Sequence, residues 1–142
     1  MRPPDPFSVF NFVVEVNGTQ VAGFSEVSGI SAETEFEDFR EGGINDYTHK
    51  LAKFTKYPNL TLKRGITDAD ELWTWHQDVI NGTIARKTIS VILLDVAKEE
   101  KWRWVFHDAY PVKWSGSDLN ATNNTVAVES IEFAHHGMRK QS

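Results

Sequence analysis

Apolar and polar positions alternate with period two through most of this chain, the spacing of strands that bury one face. In "VFNFVVEV", Phe10, Phe12, Val14 and Val16 share one side, with Asn11 and Glu15 on the other. Asn17-Gly18 follows, a pair that tolerates the positive φ angles of a tight hairpin turn, and "TQVAGF" returns as the next strand. Further strands are expected at "LTLKR" (60–64), "KTISVILL" (87–94), "KWRWVFH" (101–107), "YPVKWS" (110–115) and "NTVAVESIEFAHH" (124–136). The last changes phase: Val126 and Val128 point one way, Ile131 and Phe133 the other. A bulge near Glu129-Ser130, or a strand passing between two sheets, would produce that shift.

The period lengthens to that of a helix only once. Thr67 or Asp68 can cap it, and Asp68, Asp70 and Glu71 place negative charge at its positive end. Ala69, Leu72, Trp73, His76, Val79 and Ile80 fall on one stripe, and Asn81-Gly82 supplies a left-handed stop. Many strands and one helix predict a mainly β fold, a small β-sandwich or barrel with the helix packed on it. No linker divides residues 1–142, so a single domain is expected. The longest stretch without a period, "REGGINDYTHKLAKFTKYPN", contains Tyr47, Leu51, Phe54 and Tyr57. Leaving those side chains in water costs about 25 cal/mol per Å². A projecting hairpin or arm over residues 40–58, buried against a neighbour, is the reading that follows.

Composition narrows the chemistry. The net charge of −5 argues against a general nucleic-acid binder, and the absence of cysteine removes disulfides and thiolate chemistry. The opening residues lack the apolar run and cleavage site of a secretory signal, and no stretch reaches the ~20 apolar residues of a membrane span. Synthesis in the cytosol, without direct membrane insertion by the chain, is therefore expected. His76 lies within the helix stripe and reads as a packed histidine. His135 and His136 are neighbours on a strand, so they point to opposite faces and do not chelate one ion together. His107-Asp108 reads as the start of a turn. No nucleophile elbow, HExxH or phosphate loop is present. "KWRWVFHDAYPVKW" mixes basic and aromatic residues, yet Trp102, Trp104 and Phe106 alternate on one face as core residues do. The N-x-S/T triplets at Asn17, Asn59, Asn81, Asn120 and Asn123 read as turn residues. No enzyme emerges: no catalytic, cofactor-binding or metal-ligating residue is assigned.

A longer pattern does emerge. "VAGFSEVSGI", then "EDFREGGIND", then "LAKFTKYPNLTLKRGITDADELWTWH" resemble the inner tube protein of contractile phage tails and related contractile injection systems. "VILLD" and "WRWVFHDAYPVKWSGSDLNATNNTVAVESIEFAHHG" extend the resemblance over about residues 5–138. It implies a tail-tube-like β-barrel or orthogonal β-sandwich with one flanking helix. It implies hexameric rings stacked into a hollow tube, which a contracting sheath drives through a target envelope. The implied partners are further copies of the chain, the sheath protein, baseplate, spike and tube-terminating proteins, and effectors or DNA in the lumen. The particle would be a virion tail or an extracellular or envelope-anchored phage-tail-like assembly. On this reading Tyr47, Leu51, Phe54 and Tyr57 make inter-ring contacts, while Asp70, Glu71 and Asp78 face the sheath. Thr61 and Lys63, opposite Leu60 and Leu62, and Thr88 and Ser90, opposite Ile89 and Val91, face the lumen. The alternative is a monomeric or dimeric β-sandwich binding module.

Overall fold

In the computed structural model, which describes residues 11–39, 49–122 and 125–141, the first alternation forms β1 (Asn11–Val16). Asn17 and Gly18 take φ of 49° and 82°, and β2 (Thr19–Val21) folds back on β1. The chain does not stay in that sheet. Gly23, at φ 90°, turns it away, and β3 (Phe24–Ser28) pairs instead with β6 (Leu60–Gly65). Between them lies a separate two-stranded sheet of β4 (Glu33–Phe39) and β5 (His49–Lys56). The described part of the arm expected at 40–58 thus belongs to an antiparallel strand pair, called the β4–β5 hairpin, whose first strand the alternation did not announce. Residues 40–48, Tyr47 among them, lie outside the described residues, as does the Leu51 side chain.

The remaining strands are β7 (Lys87–Leu94), β8 (Glu100–Gly116), β9 (Val128–Ala134) and β10 (Met138–Gln141). Their order is β2-β1-β7-β8-β9-β6-β3, with β10 also on β8. The two strands expected at 101–107 and 110–115 are one, β8, bent where Asp108 takes φ 52°. Its first half pairs with β7 and β10, its second half with β9, so one strand serves two sheets. The result is an open sandwich. Val14, Leu60, Leu62, Ile89, Val91, Phe106, Ile131 and Phe133, each no more than 1% exposed, fill the space between its layers.

The phase change read near Glu129-Ser130 has a different cause. β9 keeps one phase throughout: Glu129, Ile131 and Phe133 all point inward, and Val126 lies outside the strand. A buried charged residue made the inner face look polar. The helix also differs from expectation at its start and on its buried face. α1 (Glu71–Ile80) starts after Asp70, later than expected, and Asp70 makes no side-chain capping bond. Thr67 Oγ1 instead accepts from the Ala69 amide at 3.2 Å. Leu72 and Trp75 are its buried residues, whereas Trp73 and Ile80, placed on the inner stripe, are exposed. The stop at Asn81 and Gly82 (φ 94°) is as expected.

Candidate functional site

The most informative surface is the outer face of the sheet β3-β6-β9-β8. Inward positions Leu60, Leu62 and Arg64 on β6 face Phe133, Ile131 and Glu129 on β9. Alternation then sends Thr61 and Lys63 outward, opposite Glu132 and Ser130. The flanking strands extend the row with Glu26 and Ser28 on β3 and Lys113 and Ser115 on β8. Lys63 Nζ lies 3.7 Å from Glu26, Lys113 stands opposite Glu132, and Asn59 donates to Glu132 at 3.0 Å. Two lysines and two glutamates cancel, and hydroxyls fill the space between them. The chain's acidic excess therefore lies elsewhere.

The lateral strands of this sheet, β3 paired with β6 and residues 110–116 of β8 paired with β9, have no second strand on their outer sides among the described residues. An unpaired edge offers a row of amide and carbonyl groups to another chain.

Beneath the polar face, Arg64 is 3% exposed and fully engaged. Its Nε donates to Glu129 at 2.5 Å, one Nη to Glu71 at 2.6 Å, and weaker bonds at 3.3 Å reach the Ala22 and Ala69 carbonyls. Trp114 Nε1 donates to the other Glu129 oxygen at 3.2 Å. Burial works against the Arg64 charge, but the bonds to Glu71 and Glu129 outweigh it and raise its pKa. Burial likewise opposes the Glu71 carboxylate, and the bond to Arg64 holds its pKa below the usual range. This network fastens the start of α1 to the sheet. Nothing in the alternation announced it; a charged residue at an inward position on each of two strands was the available signal.

The helix covers the inward side of this sheet, opposite the polar face. The Trp75 ring lies 5.2 Å from Phe133, and Trp73 meets Trp114 edge-on at 4.7 Å. Of the acids expected to face a sheath, Asp70 and Asp78 are exposed. The Glu71 carboxylate is committed to Arg64.

The four residues expected to face a lumen divide between two sheets. Thr61 and Lys63 share the polar face, whereas Thr88 and Ser90 belong to β7. Thr88 is exposed, its amide bonded to Asn17 Oδ1 at 2.9 Å. Ser90, expected at a water-facing position, is 7% exposed in the protomer. It stands between Glu15 and Val105, and Arg103 reaches across β7 from β8 to Glu15 at 2.9 Å. On the arm, Phe54 is 53% exposed with Lys56 Nζ 5.4 Å from its ring. Tyr57 is half-buried beside His135, at 5.8 Å between rings.

Among the described residues no group of His, Asp or Glu has the arrangement to hold a metal ion, and no helix is long and apolar enough to cross a membrane.

Comparison with known proteins places these features in a family. The match to the family described as T4-like virus tail tube protein gp19 spans residues 8–139. A chain of the PVC sheath-tube complex, an extracellular contractile injection system in its extended state, is 25% identical (TM-score 0.86, 96% of this chain and 92% of that one). A chain of the tube-terminating cap of the anti-feeding prophage has the same fold at 23% identity (TM-score 0.88, 100% and 95% covered). So, more distantly, does Hcp1 from Flavobacterium johnsoniae (16%, TM-score 0.61, 92% and 94%). No curated sequence matches. The chain belongs to the tail tube protein family, the structural tube proteins of phage tails and contractile injection systems.

Proposed function

We propose that copies of this chain close into hexameric rings whose lumen is lined by the outer face of β3-β6-β9-β8. The observation that carries this reading is a sheet with one charge-balanced polar face and two unpaired lateral edges. The β3 edge of one copy pairs with the second half of β8 in the next, and successive copies continue the sheet around the channel. Small hydroxyls and balanced charges leave few sites where effectors or DNA would stick in transit. The helix, on the opposite side, faces outward and offers Asp70 and Asp78 to a basic segment of the contractile sheath. Rings stack through the β4–β5 hairpin, and sheath contraction drives the tube through a target envelope. The likeness to a chain of an extracellular contractile injection system supports a place in such a particle, beside baseplate and terminator proteins.

Single cysteines test the lumen, because the chain has none of its own. Thr61→Cys and Ser130→Cys should resist a bulky maleimide in assembled, end-capped tubes and react readily in dissociated protomers. Thr88→Cys, on the other sheet, is the comparison. Equal labelling of Thr61→Cys and Ser130→Cys in both states would place this face outside the channel.

A further inference from the structure

The hairpin that would link rings must land somewhere on the next copy, and the topology restricts where. β4 and β5 are inserted between Ser28 and Leu60, so the hairpin leaves the sheet at the end where β3 finishes and β6 begins. At the other end of the same strands, β6 finishes at Gly65, β9 begins at Val128 and β8 finishes at Gly116. There the Ile66 amide bonds to the Ala127 carbonyl, and the Ser117 amide to the Val128 carbonyl, both within 2.9 Å. That end carries three apolar side chains in water: Ile66 at 46%, Val126 at 74% and Leu119 at 84% exposure. Beside them a hollow of about 360 Å³ is bordered by Ser117, Leu119, Asn120 and Ala127. The protomer thus exposes apolar groups at both ends of one sheet, Phe54 on the hairpin and this patch opposite.

We infer that the Ile66–Leu119–Val126 patch is the acceptor for the β4–β5 hairpin of a second copy of this chain, with Phe54 as the inserted ring. The inference rests on the reading that copies stack into a tube. Donor and acceptor differ and lie at opposite ends, so the contact is head-to-tail and leaves a fresh acceptor after each addition. A contact of that kind grows a filament rather than a closed pair. Charge agrees with the match: Lys53 lies next to Phe54 on the hairpin, and Asp118 lies next to Leu119 on the acceptor, all four exposed. No side chain of the patch belongs to the core cluster, so altering it leaves folding aside.

Leu119→Asp and Val126→Asp should each keep the circular dichroism spectrum and the ring species while lowering sedimentable tube by about tenfold or more. In a second experiment, Phe54→Cys protein is mixed with Val126→Cys protein and oxidised. A mixed disulfide dimer should form in tubes, and Phe54→Cys with Val96→Cys, an equally exposed valine elsewhere, should form none. Tubes of normal length from both aspartate variants would overturn the acceptor assignment alone. A wild-type chain that forms rings but never stacks would overturn the stacking reading beneath it.

Discussion

Strands β6 and β9 and strands β4 and β5 are antiparallel pairs in one chain, yet they are held by different physics. In β6 and β9 every second side chain is buried, at 4% exposure or less. In β5, all five side chains from Ala52 to Lys56 are exposed. Among the described residues, the β4–β5 pair has a Thr34–Thr55 hydroxyl bond at 2.9 Å, a Lys56–Glu35 ion pair and its backbone ladder, and none of its described side chains is buried. A two-stranded sheet with that inventory is marginal in water. The contrast separates what folds the protomer from what waits for a second copy.

The comparison breaks first at the buried charges. Glu129→Ala removes the buried partner of Arg64, which is 3% exposed and keeps only the half-exposed Glu71 as a carboxylate partner. Losing one partner of a buried pair costs about 3–5 kcal/mol, the lower end applying where a second carboxylate remains. Against a total of about 5–15 kcal/mol for a domain, the melting temperature should fall steeply. A denaturant midpoint equal to wild type would show that the pair contributes little to the body.

The junction between the two regions gives the next effect. Gly29 sits at φ 93° between β3 and the hairpin, and a Cβ there would lie 2.1 Å from the Asn59 carbonyl oxygen. Gly29→Ala should therefore cost at least about 1–3 kcal/mol through backbone strain. Amide exchange should accelerate at the start of β6 before it does in β7. Uniform acceleration across both sheets would mean that the junction is not a separate unit.

The smallest effect on folding belongs to the hairpin. Phe54→Ala should change protomer stability by no more than about 0.5 kcal/mol, as at other exposed positions, while reducing tube formation. A loss of melting temperature comparable to that of Glu129→Ala would mean that the hairpin helps to fold the protomer body.

These differences also explain which parts of the molecule could be read from its letters. Alternation gave β1, β6 and β7 because each has apolar residues at inward positions, and Asn-Gly pairs marked both the first turn and the helix end. It failed where polar residues do core work. Glu129 at an inward position imitated a phase change, and its partner Arg64 hid in "LTLKR" as an ordinary basic residue. The hairpin strands went unread because their described side chains, at 33–37 and 52–56, bury no apolar face whose period could show. At the candidate site, Thr61 and Lys63 were legible from Leu60 and Leu62 opposite them. The same period in β7 did not show that Ser90 is buried while Thr88 is exposed. Alternation assigns a residue to a face, but not to one sheet rather than another, nor does it reveal that Arg103 spans that face.

The bend at Asp108 has a mechanical meaning. Two packed sheets joined only by side-chain contacts shear when pushed, because van der Waals layers resist sliding weakly. Here the backbone of β8 passes from one sheet into the other, bonded to β7 and β10 before the bend and to β9 after it. Any force that displaces one layer is borne by covalent bonds and by several hydrogen-bond ladders at once. A thrust entering the protomer from either side is spread through both layers, so the domain transmits load as a single stiff block.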